Sequence, residues 1–81
     1  MKVVQAQGDD WNGLFIDGRL VMEDHHLKTK DIQAAMKAAG VLGTEIKFKE
    51  VDMDWMYEVG NFPTDISEVV WDEDDEDDED S

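Results

Sequence analysis

Side chains able to do chemistry are unevenly supplied in this chain of 81 residues. It has no cysteine, two histidines, and twenty-two acids against seven bases. Nine of the acids run without a break from Asp72 to Asp80, ahead of Ser81. No Lys or Arg interrupts them and no apolar residue gives them a face to bury, so the stretch is predicted to stay solvated and disordered. Its chemistry is that of a polyanion. Extended backbone sets a carboxylate about every 3.3 Å, close to the roughly 3.4 Å between phosphates along one DNA strand. The run Asp72, Glu73, Asp74, Asp75, Glu76, Asp77, Asp78, Glu79 and Asp80 would span on the order of 30 Å, enough to occupy a basic groove. The plainer alternative is a tail that only keeps the protein in solution.

Other candidate groups are sparser. Asp9, Asp10, Asp52, Asp54, Glu58, Asp65 and Glu68 form a second set of carboxylates, readable as a charged surface or as ordinary caps and solvated positions. Asp24-His25-His26 invites a metal, with Asp9 or Asp10 as a further ligand. Adjacent histidines in a loop point apart, however, and no His pair at i, i+4 is present, so no metal is expected. The tail lacks the glycine-hinged loop of a calcium site and would hold divalent cations only loosely. Thr29, Thr44, Thr64, Ser67 and Ser81 offer hydroxyls, none in a nucleophile elbow. Gly8, Gly13, Gly18 and Gly40 do not compose a phosphate loop. Neither catalysis nor a cofactor is expected. The aromatics Trp11, Trp55, Tyr57, Phe62 and Trp71 read first as core; Tyr57 and Trp71 flank the acidic region and are the candidates for exposed anchors at an interface. Met53 and Met56, close to Trp55, could add an adaptable apolar surface.

The formal charge is −15 at pH 7, and thirteen acids against seven bases leave residues 1–71 at −6. Both parts oppose direct binding to nucleic acid or anionic lipid, where affinity comes from Lys and Arg. They favour a basic protein surface as partner, with electrostatic steering of the encounter. Absence of cysteine fits a reducing compartment. Met1-Lys2-Val3-Val4-Gln5 is too short and polar for a signal peptide, and no apolar run reaches membrane-spanning length, so a soluble cytoplasmic protein is expected.

The elements that must position these groups follow from periodicity. Lys2–Gln7 is β-prone and ends at the turn residues Gly8-Asp9-Asp10; it is predicted to be an edge strand. Asp17-Gly18 between Leu14-Phe15-Ile16 and Leu20-Val21-Met22 predicts a hairpin with a type I′ turn. Pairing Ile16 with Arg19, Phe15 with Leu20, Leu14 with Val21 and Gly13 with Met22 puts Trp11, Phe15, Leu20 and Met22 on a core-facing side. Leu14, Ile16, Arg19, Val21 and Glu23 fall on the other, to be covered by the C-terminal segment or by a partner. Thr29 is predicted to cap a helix over 30–39, with a stripe of Ile32, Ala35, Met36 and Ala39. Gly40 stops it, with Val41 folded back on Met36 in a Schellman ending. Residues 45–51 alternate as a strand that can run parallel to a neighbour after the helical crossover. Asp52 caps a short helix Met53–Val59 closed by Gly60, and Pro63 breaks the chain. Residues 64–71 fit either a helical turn or a short strand, with Trp71 as the anchor where the tail leaves. The prediction is one α+β domain over 1–71 and an acidic tail over 72–81. The domain is a three- to four-stranded, mainly antiparallel sheet with one amphipathic helix on a face and a short second helix.

The pattern Trp11-x-Gly13-Leu14-Phe15-x-Asp17-Gly18-x-Leu20-Val21, followed by Pro63-x-x-Ile66-x-Glu68-Val69, resembles small uncharacterised proteins of phages and bacteria. In its size, acidity and lack of cysteine the chain is also similar to phage-encoded DNA mimics and host-takeover inhibitors. That resemblance implies a non-enzymatic inhibitor that binds a basic surface of a host nucleic-acid-handling or defence protein. The tail, Asp54 and Glu58 would supply the charge, with Tyr57 or Trp71 the desolvated contact. Two other expectations stand beside it: an assembly module binding through Leu14, Ile16 and Val21, and a small-ligand sponge. The first would bind independently of salt; the second needs a pocket.

Overall fold

A computed structural model describes residues 2–72. They form an α+β fold around one four-stranded sheet of order β3-β2-β1-β4. The strands are β1 (Val3–Gln7), β2 (Asn12–Ile16), β3 (Arg19–Asp24) and β4 (Ile46–Glu50). β2 pairs antiparallel with both β1 and β3, whereas β4 lies parallel to β1. Helix α1 (Thr29–Ala38) makes the crossover that a parallel pair requires. Helix α2 (Met53–Val59) and a 3-10 turn (Ile66–Glu68) complete the set. The predicted disordered tail lies, beyond Asp72, outside the described residues.

Local signals translate directly. Asp17 (φ 56°) and Gly18 (φ 85°) both take the positive φ that a type I′ turn demands. Asp52 Oδ1 accepts from Trp55 N–H at 3.0 Å and starts α2 where expected. At the end of α1, Val41 N–H donates to Met36 C=O and Gly40 N–H to Lys37 C=O, the paired bonds of a Schellman ending. Thr29, in contrast, is not the cap of α1. It is the first residue inside the helix; Lys28 holds the cap position and contributes no side-chain bond.

Non-local features differ from the sequence reading in three ways. β1 is not an edge strand, because β4 arrives beside it on the side away from β2. The hairpin register holds for Ile16–Arg19 and Phe15–Leu20, then slips by one, so Leu14 faces Met22 and Gly13 faces Glu23. Val21 is the extra residue of a β-bulge, which turns Met22 and Glu23 to the opposite faces from those expected. Lastly, the covers of the two buried faces are exchanged: α1, and not the C-terminal segment or a partner, covers Leu14 and Ile16, while the C-terminal segment lies on the Phe15 face. Val3, Leu14 and Ile16 meet Ile32 and Met36 of α1, with Leu27 and Val41 closing its two ends. On the reverse face Val4, Ala6 and Phe15 meet Val51, Met56, Phe62 and Val69, with Trp11, Leu20, Trp55, Ile66 and Trp71 packed around them.

The reverse cluster is built largely by the C-terminal segment, which resolves the ambiguity of residues 64–71 into an irregular strap. It starts at the hairpin, where Leu20 N–H donates to Thr64 C=O and Ile66 N–H to Gly18 C=O. Asp65 Oδ1 accepts from Ser67 N–H and sets the 3-10 turn. The strap ends at the far side of the sheet, where Trp71 bridges Val51 and Asp72 N–H donates to Glu50 C=O at 3.0 Å.

Candidate partner-binding surface

Three of the described acids, Asp9, Asp10 and Asp54, come together where the β1–β2 turn meets α2. Gly8 N–H donates to Trp11 C=O at 2.8 Å, closing a turn that presents Asp9 and Asp10 to solvent. Helix α2 buries Met56 toward the sheet. Asp54, Tyr57 and Glu58, at i, i+3 and i+4, therefore share its exposed side. Tyr57, 66 % exposed, donates its hydroxyl to Asp9 Oδ2 at 2.7 Å, a contact across 48 positions of sequence. That bond and the Asp9 charge, followed by desolvation and the charges of Asp10 and Asp54, hold the phenol pKa above its ordinary value. Three carboxylates thus surround one exposed aromatic ring.

Charge placement on α2 runs against the helix's own interest at one end. Asp54 in the first turn suits the positive end of the dipole, but no base occupies the last turn, where Glu58 faces the negative end. Asp54 and Glu58 are also a like-charge i, i+4 pair, unfavourable by roughly 0.2–0.5 kcal/mol in an isolated helix. Glu58 thus adds negative charge to the exposed side of α2 without stabilising the helix.

Beside the patch lies a shallow cleft of about 360 Å³ lined by Asp9, Asp10, Trp11, His25, Met56 and Tyr57. The ring of His25 packs edge-on against Trp11 with centroids 4.8 Å apart, and its Nδ1 lies 3.0 Å from Asp10 C=O. His26 is exposed beside it. Among the described residues no three His, Cys, Asp or Glu side chains are grouped to hold a metal ion.

The remaining candidates are dispersed. Trp71 is half-buried against the reverse cluster, with Lys49 Nζ 4.6 Å from its ring centroid. It anchors the strap, and Tyr57 is the exposed member of the expected aromatic pair. Asp72 is the last described acid; Glu73, Asp74, Asp75, Glu76, Asp77, Asp78, Glu79 and Asp80 lie outside the described residues. Leu14 and Ile16, offered as an apolar binding face, are covered by α1, and only Val21 of that set is exposed.

Two features had no clear signal in the sequence. Glu23, turned to the reverse face by the bulge, accepts at 2.9 Å through Oε1 from both Trp11 Nε1–H and Phe62 N–H. A groove of about 510 Å³ opens between α1 and β4, lined by Ile32, Met36, Leu42, Ile46 and Phe48. Leu42 and Phe48 are each 58 % exposed there, and Gln5 sits among them, 8 % exposed, its amide without a hydrogen-bond partner among the described residues. Among those residues no helix is long and apolar enough to cross a membrane. No protein-family model, curated protein or solved structure matches the chain.

Proposed function

We propose that this protein is a non-catalytic inhibitor of the phage type. It presents negative charge to a basic surface of a host nucleic-acid-handling or defence protein, partly imitating nucleic acid. The observation that carries the reading is the gathering of Asp9, Asp10 and Asp54 around the exposed Tyr57 ring. An aromatic ringed by like charges has the make-up of an interface anchor with a polar rim. It also repels nucleic acid and attracts a Lys- or Arg-rich surface. Asp72–Asp80 supplies attraction at the approach, over a Debye length of about 8 Å at physiological salt. The patch and Tyr57 then set register and residence time.

The experiment is a pull-down from bacterial lysate washed at low and at high salt, with the captured protein identified and its binding kinetics measured. A basic partner released by high salt is expected. Changing the acids of residues 73–80 to Asn and Gln should slow association at least about tenfold at low salt. Tyr57→Ala should act mainly on dissociation. A partner held equally well in strong salt, or one with an acidic contact face, overturns the reading.

A second reading draws on the groove between α1 and β4. The assembly-module alternative moves there from Leu14 and Ile16, because Leu42 and Phe48 are the exposed apolar pair. It requires binding that is insensitive to salt and lost in Phe48→Ser.

A further inference from the structure

We propose that the groove between α1 and β4 binds a small neutral ligand of the adenine type, a flat ring whose edge sets a hydrogen-bond donor beside an acceptor. Gln5 carries this. It is 8 % exposed, lines the groove, and its amide has no hydrogen-bond partner among the described residues. Its neighbours on that face of the sheet are all apolar: Val3 two residues back along β1, Leu14 opposite on β2 and Phe48 opposite on β4. A leucine there would complete the row, whereas a buried amide without a partner costs stability. A group that weakens the fold and lines a cavity is suited to a ligand.

The surroundings of Gln5 define the ligand. Its amide presents an acceptor and a donor side by side, and adenine answers with an exocyclic amino group beside a ring nitrogen, the pairing by which Gln reads that base. Phe48 lies directly opposite Gln5 in the β1–β4 register, so the two side chains rise from one face of the sheet on strands about 4.8 Å apart. A ring laid on Phe48, itself 58 % exposed, brings its edge to the Gln5 amide. Among the described residues no acid or base lines the groove; Gln33 and Thr44 add only neutral polar groups, suited to a sugar hydroxyl. Its volume of about 510 Å³ lies in the usual range for small-ligand sites. At a net charge of −15 the protein repels phosphate chains, which selects the free nucleoside over nucleic acid. The groove is on the α1 face of the sheet, whereas α2 and its acids sit over the reverse face.

Titration of the isotope-labelled full-length protein with adenosine, followed by NMR, tests it. Saturable shifts of the Gln5 side-chain N–H signals and of Phe48 are expected, half-complete at millimolar concentration or below. Purine riboside, which lacks the exocyclic amino donor, should bind at least about tenfold more weakly. Gln5→Leu should weaken adenosine binding by a similar factor while melting no lower than the parent, which separates a lost contact from a lost fold. An assembly partner held on Leu42 and Phe48 would survive that substitution, so the two uses of the groove remain distinct. Equal binding of the two nucleosides overturns the proposal, as does a lower Tm in Gln5→Leu, since the amide then serves the fold. Shifts still rising in proportion at about 10 mM mean an amide that is only hydrated. Shifts that track protein concentration mean that a second copy fills the groove, and either result overturns the proposal too.

Discussion

Glu23 joins three parts of the chain through one oxygen: Trp11 at the start of the hairpin, Phe62 after α2, and its own strand. The Phe62 side chain is buried, so that backbone N–H is costly to leave without an acceptor. Glu23→Ala should lower unfolding stability by about 2–3 kcal/mol in urea titrations, as expected for losing bonds to a charged acceptor. Glu23→Gln should cost less, because an amide oxygen accepts from the same two groups. At Tyr57 the folded protein favours the neutral phenol. Its contribution to stability is therefore complete below the unfolded value near 10.0 and is lost as pH rises through the higher folded value. Asp9→Asn should move the phenolate absorbance transition down toward the ordinary value, and an unmoved transition would dissolve the patch as drawn. Neither role was legible beforehand. Trp11 and Glu23 are separated by twelve positions and Tyr57 and Asp9 by forty-eight, and sequence patterns see only neighbours.

At the scale of elements, the bulge at Val21 decides which side of the sheet receives Glu23. Without it Leu20, Met22 and Glu23 alternate regularly and reach the same faces they occupy now. Deleting Val21 should therefore leave the fold intact and Tm within a few degrees, since the residue removed is the unpaired one. Deleting Met22 instead takes away a packed residue and leaves Val21 to fill its place, and a clear loss of stability is expected. The Asp17-Gly18 turn, the Asp52 cap and the Gly40-Val41 ending were readable because each is decided within about five residues; the α1 start was not, since Lys28 takes the cap position expected of Thr29 and makes no side-chain bond. The bulge was not, because a slip depends on what covers each face. A signal for two-sided burial was nonetheless present: Val3-Val4 and Leu14-Phe15-Ile16 are apolar without alternation, as strands covered on both faces tend to be. Gly13 records the same fact from within β2. A Cβ placed there would lie 2.5 Å from Cδ2 of Phe62, so Gly13→Ala should displace that ring and cost about 1–3 kcal/mol by thermal or urea unfolding.

Across the whole molecule, charge differs most between the two helices. Lys28, Lys30 and Lys37 accompany α1, whereas α2 carries Asp54 and Glu58 and no base. The reverse face of the sheet still holds bases, because Lys47 and Lys49 lie beside Val4 and Ala6, so the contrast is between the two helices and not between the two faces. Self-repulsion at a net charge of −15 should make Tm climb as salt is raised from about 10 to 150 mM. A falling Tm would mean that attractive pairs outweigh the repulsion. This level was the most legible of all, since net charge needs no fold to be counted. The meeting of Asp9, Asp10 and Asp54 at one place came only with the packing of α2 against the sheet.

The strap from Thr64 to Asp72 bonds to the hairpin at one end and to β4 at the other, and between them it supplies Ile66, Val69 and Trp71 to the reverse cluster. A nascent chain that has emerged only as far as Gly60 would leave much of the Phe15 side bare to water, however well α1 had already seated. Closure of the body must therefore wait for the last residues of the domain to be made. Until then, the growing protein offers chaperones one sticky flank and one finished one.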